Sequence, residues 1–258
     1  MTDIEMQTSR AIAMNQEGRH EEALALLRRL LAEAEEAVAP TRSRLFIAIL
    51  EWTMLAEHYA PARAALKDLR EDQIARLLAG DLYLGRDDPD GDPDARFGRI
   101  SRFSLIVDIN HTLHDARSTW SVFSALDKSQ PRLAWQYAWS ALPAVVEAGD
   151  FALAERYRGD PLASLEGVND QARCAPLFPL PGQAPRLAAE LMNLATAVRL
   201  GAAILRGLGR GSEAEALRAS LLAGLATAEL KEWARRELDL PGTITREIVD
   251  RQMAQDCA

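Results

Sequence analysis

Residues 9–31 read Ser9-Arg-Ala11-Ile-Ala-Met-Asn-Gln-Glu-Gly18-Arg-His20-Glu-Glu-Ala23-Leu-Ala-Leu-Leu27-Arg-Arg-Leu30-Leu31. Gly18 can take a left-handed backbone that other residues avoid, so it ends one helix where the chain turns back. Beyond it Ala23, Leu27, Leu30 and Ala34 form one stripe at the helical period. A small residue seven positions before the break (Ala11) and another five after it (Ala23) would let two antiparallel helices approach closely. His20, two after the break, would plug the end of their interface with a ring. Working outward, the same spacing returns at Glu57 (Leu50, Tyr59, Ala62), at Gly149 (Leu142, Phe151, Ala154) and at Gly209 (Ala202, Gly211, Ala214).

These four helix–turn–helix units resemble degenerate tetratricopeptide repeats. The resemblance is fullest over residues 9–70, thinner over 131–161 and thinnest over 187–224. Break residues at 18, 57, 149 and 209 are spaced wider than the ~34 residues of a regular array, so extra helices must interrupt it. Four positions after the key alanine the first two units keep Leu27 and Leu66, but the last two carry Arg158 and Arg218. What the resemblance implies is an all-α, TPR-like helical-hairpin array (an α-α superhelix), irregular in its C-terminal part. It also implies a groove gripping a protein or peptide, and no catalysis. No conjunction of Lys, Arg and Asn on successive first helices resembles the clamp that captures C-terminal carboxylates.

Elsewhere the helical period continues with interruptions. Thr2 with Glu5 reads as a capping box ahead of the first helix. Helices are expected over 42–57, from Pro61, over 71–83, 101–116, 118–126, 131–148 and 151–158, then after 185 in four further segments. Pro143 lies inside one of them and removes a hydrogen bond to Trp139, so that helix should kink or split. Residues 85–98, with Asp87, Asp88, Asp90, Asp92 and Asp94 among prolines and glycines, cannot bury apolar surface and read as a solvated loop. That loop, 85–100, is expected to divide an N-terminal repeat region (1–84) from a C-terminal one (101–258). Apolar runs such as 45–50 sit within helical periodicity and read as buried helix. Residues 174–185 hold Pro176, Pro179, Pro181 and Pro185 and must be extended. Their Leu177, Phe178 and Leu180 suit a crossover packed on the helices, or a built-in ligand in the protein's own groove.

A chain of 258 residues with 48% apolar content buries enough surface to need no staples. The formal charge of −8 repels polyanions, which argues against nucleic acid as a partner. The same charge admits a reading as the neutralising partner of a basic protein. Cys174 and Cys257 lack metal-ligand or redox spacing. No basic flank leads into an apolar run at the start, and the most apolar stretch, 187–208, is broken by Glu190, Arg199 and Arg206. Expectation is therefore cytoplasmic, without membrane contact.

Candidate sites are few. Asp108, His111 and Asp115 would share a helix face with His114 a turn away, a set suited to a divalent metal or acid–base pair and the basis of an alternative reading as a helical enzyme. The only other histidines, His20 and His58, belong to repeat turns, so a polar surface is the better reading, with no metal or cofactor expected. Asp88, Asp90 and Asp92 alternate as in a calcium loop, but Pro93 occupies the required glycine position and Arg99 the final acid. Gly207, Gly209 and Gly211 mimic a phosphate cradle, yet follow a helix where a strand is needed. Trp135, Trp139, Leu142 and Val146 fall on one face and read as core, or else as a recognition surface. Tyr137 points elsewhere and is the better exposed contact. Trp135, Tyr137 and Trp139 are the candidate binding residues.

Overall fold

The computed structural model describes residues 3–40, 42–88, 98–180 and 182–256. Among them the chain forms thirteen helices and no strand: α1 (Asp3–Gln16), α2 (His20–Glu36), α3 (Arg42–His58), α4 (Ala60–Leu78), α5 (Arg102–Leu113), α6 (Ala116–Ser129), α7 (Pro131–Glu147), α8 (Phe151–Tyr157), α9 (Leu165–Gln171), α10 (Arg186–Gly207), α11 (Gly211–Gly224), α12 (Ala228–Asp239) and α13 (Thr243–Asp256). Thr2 of the expected capping box, and Asp90, Asp92 and Pro93 of the calcium-like loop, lie outside the described residues. The helix expected over 71–83 is the second half of α4, because nothing between Leu69 and Leu77 interrupts the period. α7 runs through Pro143 without splitting.

Three of the four breaks make one and the same turn. Gly18, Gly149 and Gly209 have φ of 78°, 80° and 76°. The amide one residue later reaches back five positions in each: Arg19 to Met14 (2.9 Å), Asp150 to Val145 (3.1 Å) and Arg210 to Leu205 (2.8 Å). These bonds satisfy carbonyls that the helix end leaves orphaned. Glu57 does not break a helix. α3 continues to His58, and Tyr59 (φ −121°) alone links it to α4, with Pro61 accommodated in the first turn. The shorter connection shifts the facing register, so Leu50 is exposed while Trp52 and Leu55 are buried and the Trp52 indole donates to the Ala62 carbonyl. The alanines at 23, 62, 154 and 214 are all fully buried, as their role in close helix approach requires.

The chain divides into two compact units, residues 1–144 and 145–258. The boundary expected at the acidic loop falls inside the first unit. Both flanks of that loop are tied into one structure: Leu84 N–H donates to Ile100 (2.9 Å), Arg102 N–H to Leu82 (3.0 Å), and Arg86 and Ala37 to Ala39 exchange bonds of 2.9 Å.

In the first unit α1 packs on α2 and α3, α2 on α3, α3 on α4 and α5, α4 on α5, and α5 on α6. Alternate helices α1, α3 and α5 therefore adjoin, while α2 and α4 do not pack closely. The core of this part runs from Ala11 through Leu27, Leu45 and Leu55 to Ile109 and Leu113. A polar knot closes its end. The Arg102 guanidinium, 1% exposed, donates to both oxygens of Glu35 (2.6 and 2.9 Å), to Gln73 (2.6 Å) and to Asp81 (2.6 Å).

The second unit is organised around α10, which packs on α8, α9, α11, α12 and α13. Leu191, Leu194, Val198 and Ile204 are fully buried on it. By length and composition α10 could reach across a bilayer, and half of its most apolar window is buried within the unit. Close approach is built from glycines: a Cβ at Gly207 would fall 2.3 Å from the Phe151 ring, and one at Gly224 2.6 Å from Leu165. Phe151, a turn residue of one hairpin, thus sits on the helix preceding the next turn. His20 does likewise, its ring 5.2 Å from that of His58, the last residue of α3.

Candidate binding surfaces

The candidate aromatic residues of α7 are arranged the opposite way from the expectation. Trp135 and Trp139 are 57% and 54% exposed. Tyr137 is half-buried and lies parallel to Phe103, centroids 4.5 Å apart, and burial pushes its phenol above the ordinary value. Leu133, Ala134, Ala138, Ala141 and Leu142 are buried instead. The small residues at 134, 138 and 141 lie on the buried side with Leu133 and Leu142, which leaves the indoles outside. Trp135 and Trp139 therefore do not share a buried face with Leu142, and Tyr137 is not the exposed contact.

The Asp108–Asp115 stretch does not assemble a ligand set. α5 ends at Leu113, and His114 takes φ 56°, ψ 44°, the same left-handed cap that glycine supplies elsewhere. Asp115 N–H then bonds to Asn110 O (2.8 Å), repeating the turn of the other hairpins. Past that turn a common helix face no longer exists. Asp115 becomes the cap of α6, accepting from Ser118 N–H (3.1 Å), and pairs with Arg70 (2.6 Å). Asn110, 1% exposed, accepts from Arg70 (3.1 Å) and donates to Thr119 (3.0 Å), while His111 and His114 are exposed. Among the described residues no group of three or more His, Cys, Asp or Glu side chains could hold a metal ion. The α5–α6 hairpin is a further break-plus-five unit, with His114 as the break and buried Thr119 in the alanine place. Sequence reading passed it over because neither residue is the usual one.

The glycines at 207, 209 and 211 form a hairpin turn between α10 and α11. Arg158 and Arg218, the departures from apolar knobs, stay partly exposed and pair with Glu155 (2.7 Å) and Asp239 (2.8 Å). The proline-rich segment packs on the second unit: Leu177 is 3% exposed in its core, Phe178 meets Trp233 edge-on at 4.9 Å, and Arg251 lies over Phe178 at 4.4 Å.

Two surfaces in the first unit escaped sequence reading. On α3, Phe46, Ile47, Leu50 and Met54 are 43–51% exposed, while Leu45, Ala48, Trp52, Leu55 and Ala56 on the other side are buried. The run from Leu45 to Leu50 is thus a helix apolar around most of its circumference and covered on one side. The legible clue was width: six consecutive apolar residues, Leu45 to Leu50, exceed the stripe that neighbouring helices can cover.

The other surface is an open groove of about 380 Å³ between α2 and α4. Leu31, Ala32, Trp52, Ala65 and Leu69 form its apolar part, and Arg28, Glu35, Glu36, Asp68, Asp72, Gln73 and Arg76 its polar part. Arg76 is held by Asp72 (2.9 Å) and Glu35 (3.4 Å). Burial alone would raise the Glu35 carboxyl, but the bonds from Arg102 and Gln73 and the charges of Arg102 and Arg76 outweigh it and hold the group below its ordinary value. Comparison with known proteins yields no match among family models, curated proteins or solved structures.

Proposed function

We propose that the protein is a non-catalytic adaptor or scaffold that binds a partner protein, and that the outward face of α3 receives the apolar side of a partner helix. The observation that carries this is the stripe Phe46, Ile47, Leu50 and Met54, four large apolar side chains bare on one helix flanked by α1 and α5. Contiguous exposed apolar surface in a folded chain marks an interaction site, and spacing at 47, 50 and 54 matches the i, i+3, i+7 pattern by which helices interlock. The adjoining first helices α1, α3 and α5, and the shared turn of the hairpins, support a tetratricopeptide-like array as its scaffold. The exposed indoles of Trp135 and Trp139 are a second place where large rigid rings could contribute to binding.

Affinity purification from the native cell with the whole chain as bait, alongside a Leu50→Asp, Met54→Asp variant, tests the reading. Loss of a buried apolar anchor costs at least about 2 kcal/mol, roughly thirtyfold in affinity. A protein retained by the wild type and lost from the variant, with unchanged circular dichroism, is the expected result. Identical sets of retained proteins would sink it.

A further inference from the structure

We infer that the groove between α2 and α4 takes a cationic, amphipathic peptide segment, its apolar side chains on Leu31, Trp52 and Leu69 and its lysine or arginine heads at Glu36 and Asp68. The inference rests on the reading of the chain as a binding protein but assigns a second surface and the chemistry of its occupant. Size sets the class of ligand. The lining runs from Arg28 to Glu36 on α2 and from Ala65 to Arg76 on α4, which at ~1.5 Å per residue is roughly 12–16 Å. That length matches about four extended residues or two to three helical turns, and the volume lies within the ~300–1,000 Å³ of ordinary binding clefts.

Charge sets the sign. Four carboxylates against two guanidiniums line the groove. Arg76 is already held by Asp72 and Glu35, and Glu35 is bonded from beneath by the buried Arg102. Glu36 and Asp68, both exposed, enter no ion pair among the described residues and are free to accept one. Arg28 is the single cation of the lining without such a partner, and it marks the end where a carboxylate of the segment would sit. The floor calls for apolar groups beside those charges. Trp52 is 5% exposed and Leu69 half-buried, and an apolar gap lined by Leu27, Leu45, Leu66 and Ile109 continues beneath them. Alternation of apolar and basic residues is what satisfies floor and rim together. The formal charge of −8 draws such a segment from a distance.

The test pans a library of random dodecapeptides against the immobilised full-length protein and measures the recovered peptides by fluorescence anisotropy. Expected are sequences alternating apolar with Lys or Arg. Their affinity should fall at least tenfold in a Glu36→Lys, Asp68→Lys variant, fall when their basic residues are exchanged for glutamate, and fall as salt is raised. Both substituted side chains are exposed, and a thermal melt checks that the variant folds; the glutamate-exchanged peptide tests the same claim on unaltered protein. Recovery of neutral or acidic peptides, of none, or of peptides bound equally by variant and wild type would overturn the inference. Peptides released by Leu50→Asp and not by the groove variant would also overturn it, while leaving recognition at α3 in place.

Discussion

A histidine in the left-handed region is uncommon, and His114 occupies it without the advantage glycine has there. Its position in the chain looked chemical, beside Asp108, His111 and Asp115, whereas the work it does is to turn the backbone. No property of a side chain displays a torsion angle, which is why the helix expected over 101–116 runs past the turn that ends it at Leu113. The neighbours did hold a clue: Asp115 is a good helix cap, and the small Thr119 stands five beyond the turn. We expect His114→Gly to stabilise the protein by about 0.5–1 kcal/mol, the relief of backbone strain exceeding the added freedom of the unfolded chain. A thermal melt should rise by a few degrees. A fall would show that the exposed imidazole makes a contact worth more than the strain.

At the scale of elements, periodicity located nearly every helix, because a helix of this kind survives only by burying a stripe. Which stripe is buried was harder to read on α7. Large rings suggest core by their size, yet the buried side is the one that carries Ala134, Ala138 and Ala141, and the indoles of Trp135 and Trp139 are turned outward. The same preference for small residues governs α10. Gly207 has no room for a methyl group under Phe151, whereas a Cβ at Gly209 meets nothing within 4 Å and is disfavoured only by φ 76°. Gly207→Ala should therefore cost about 1–3 kcal/mol through overpacking, and Gly209→Ala about 1 kcal/mol through torsion alone. Urea titration of the two separates these effects, and equal losses would mean that Phe151 swings aside at no cost. The bare face of α3 was invisible to periodicity because the helix is apolar on both sides; the width of its apolar run, and not its period, was the sign that one side stays open.

For the whole molecule, the change of composition at the acidic loop was mistaken for a boundary. Polar composition shows where chain is solvated, not which helices pack together, and helices α4 and α5 on either side of the loop are partners. The knot of Arg102, Glu35, Gln73 and Asp81 joins α2, α4 and α5 across long sequence separations, which no local pattern could reveal. It should also make stability depend on acidity. Glu35 is held below its ordinary value in the folded state, so its contribution is complete above the unfolded carboxyl's ~4.3 and is lost as pH falls through the lower folded value. Unfolding free energy from urea titrations at pH 7, 5, 4 and 3 should decline more steeply for the wild type than for Glu35→Gln, and parallel declines would refute that assignment. The ladder of bonds among residues 37–39, 82–86 and 100–102 has one more implication. The two stems are cinched together beside α2 by bonds that do not run through residues 89–97, so the helices on either side are tied to each other directly. A reporter, an epitope or new chain ends could be spliced in at that point while the helices keep their places.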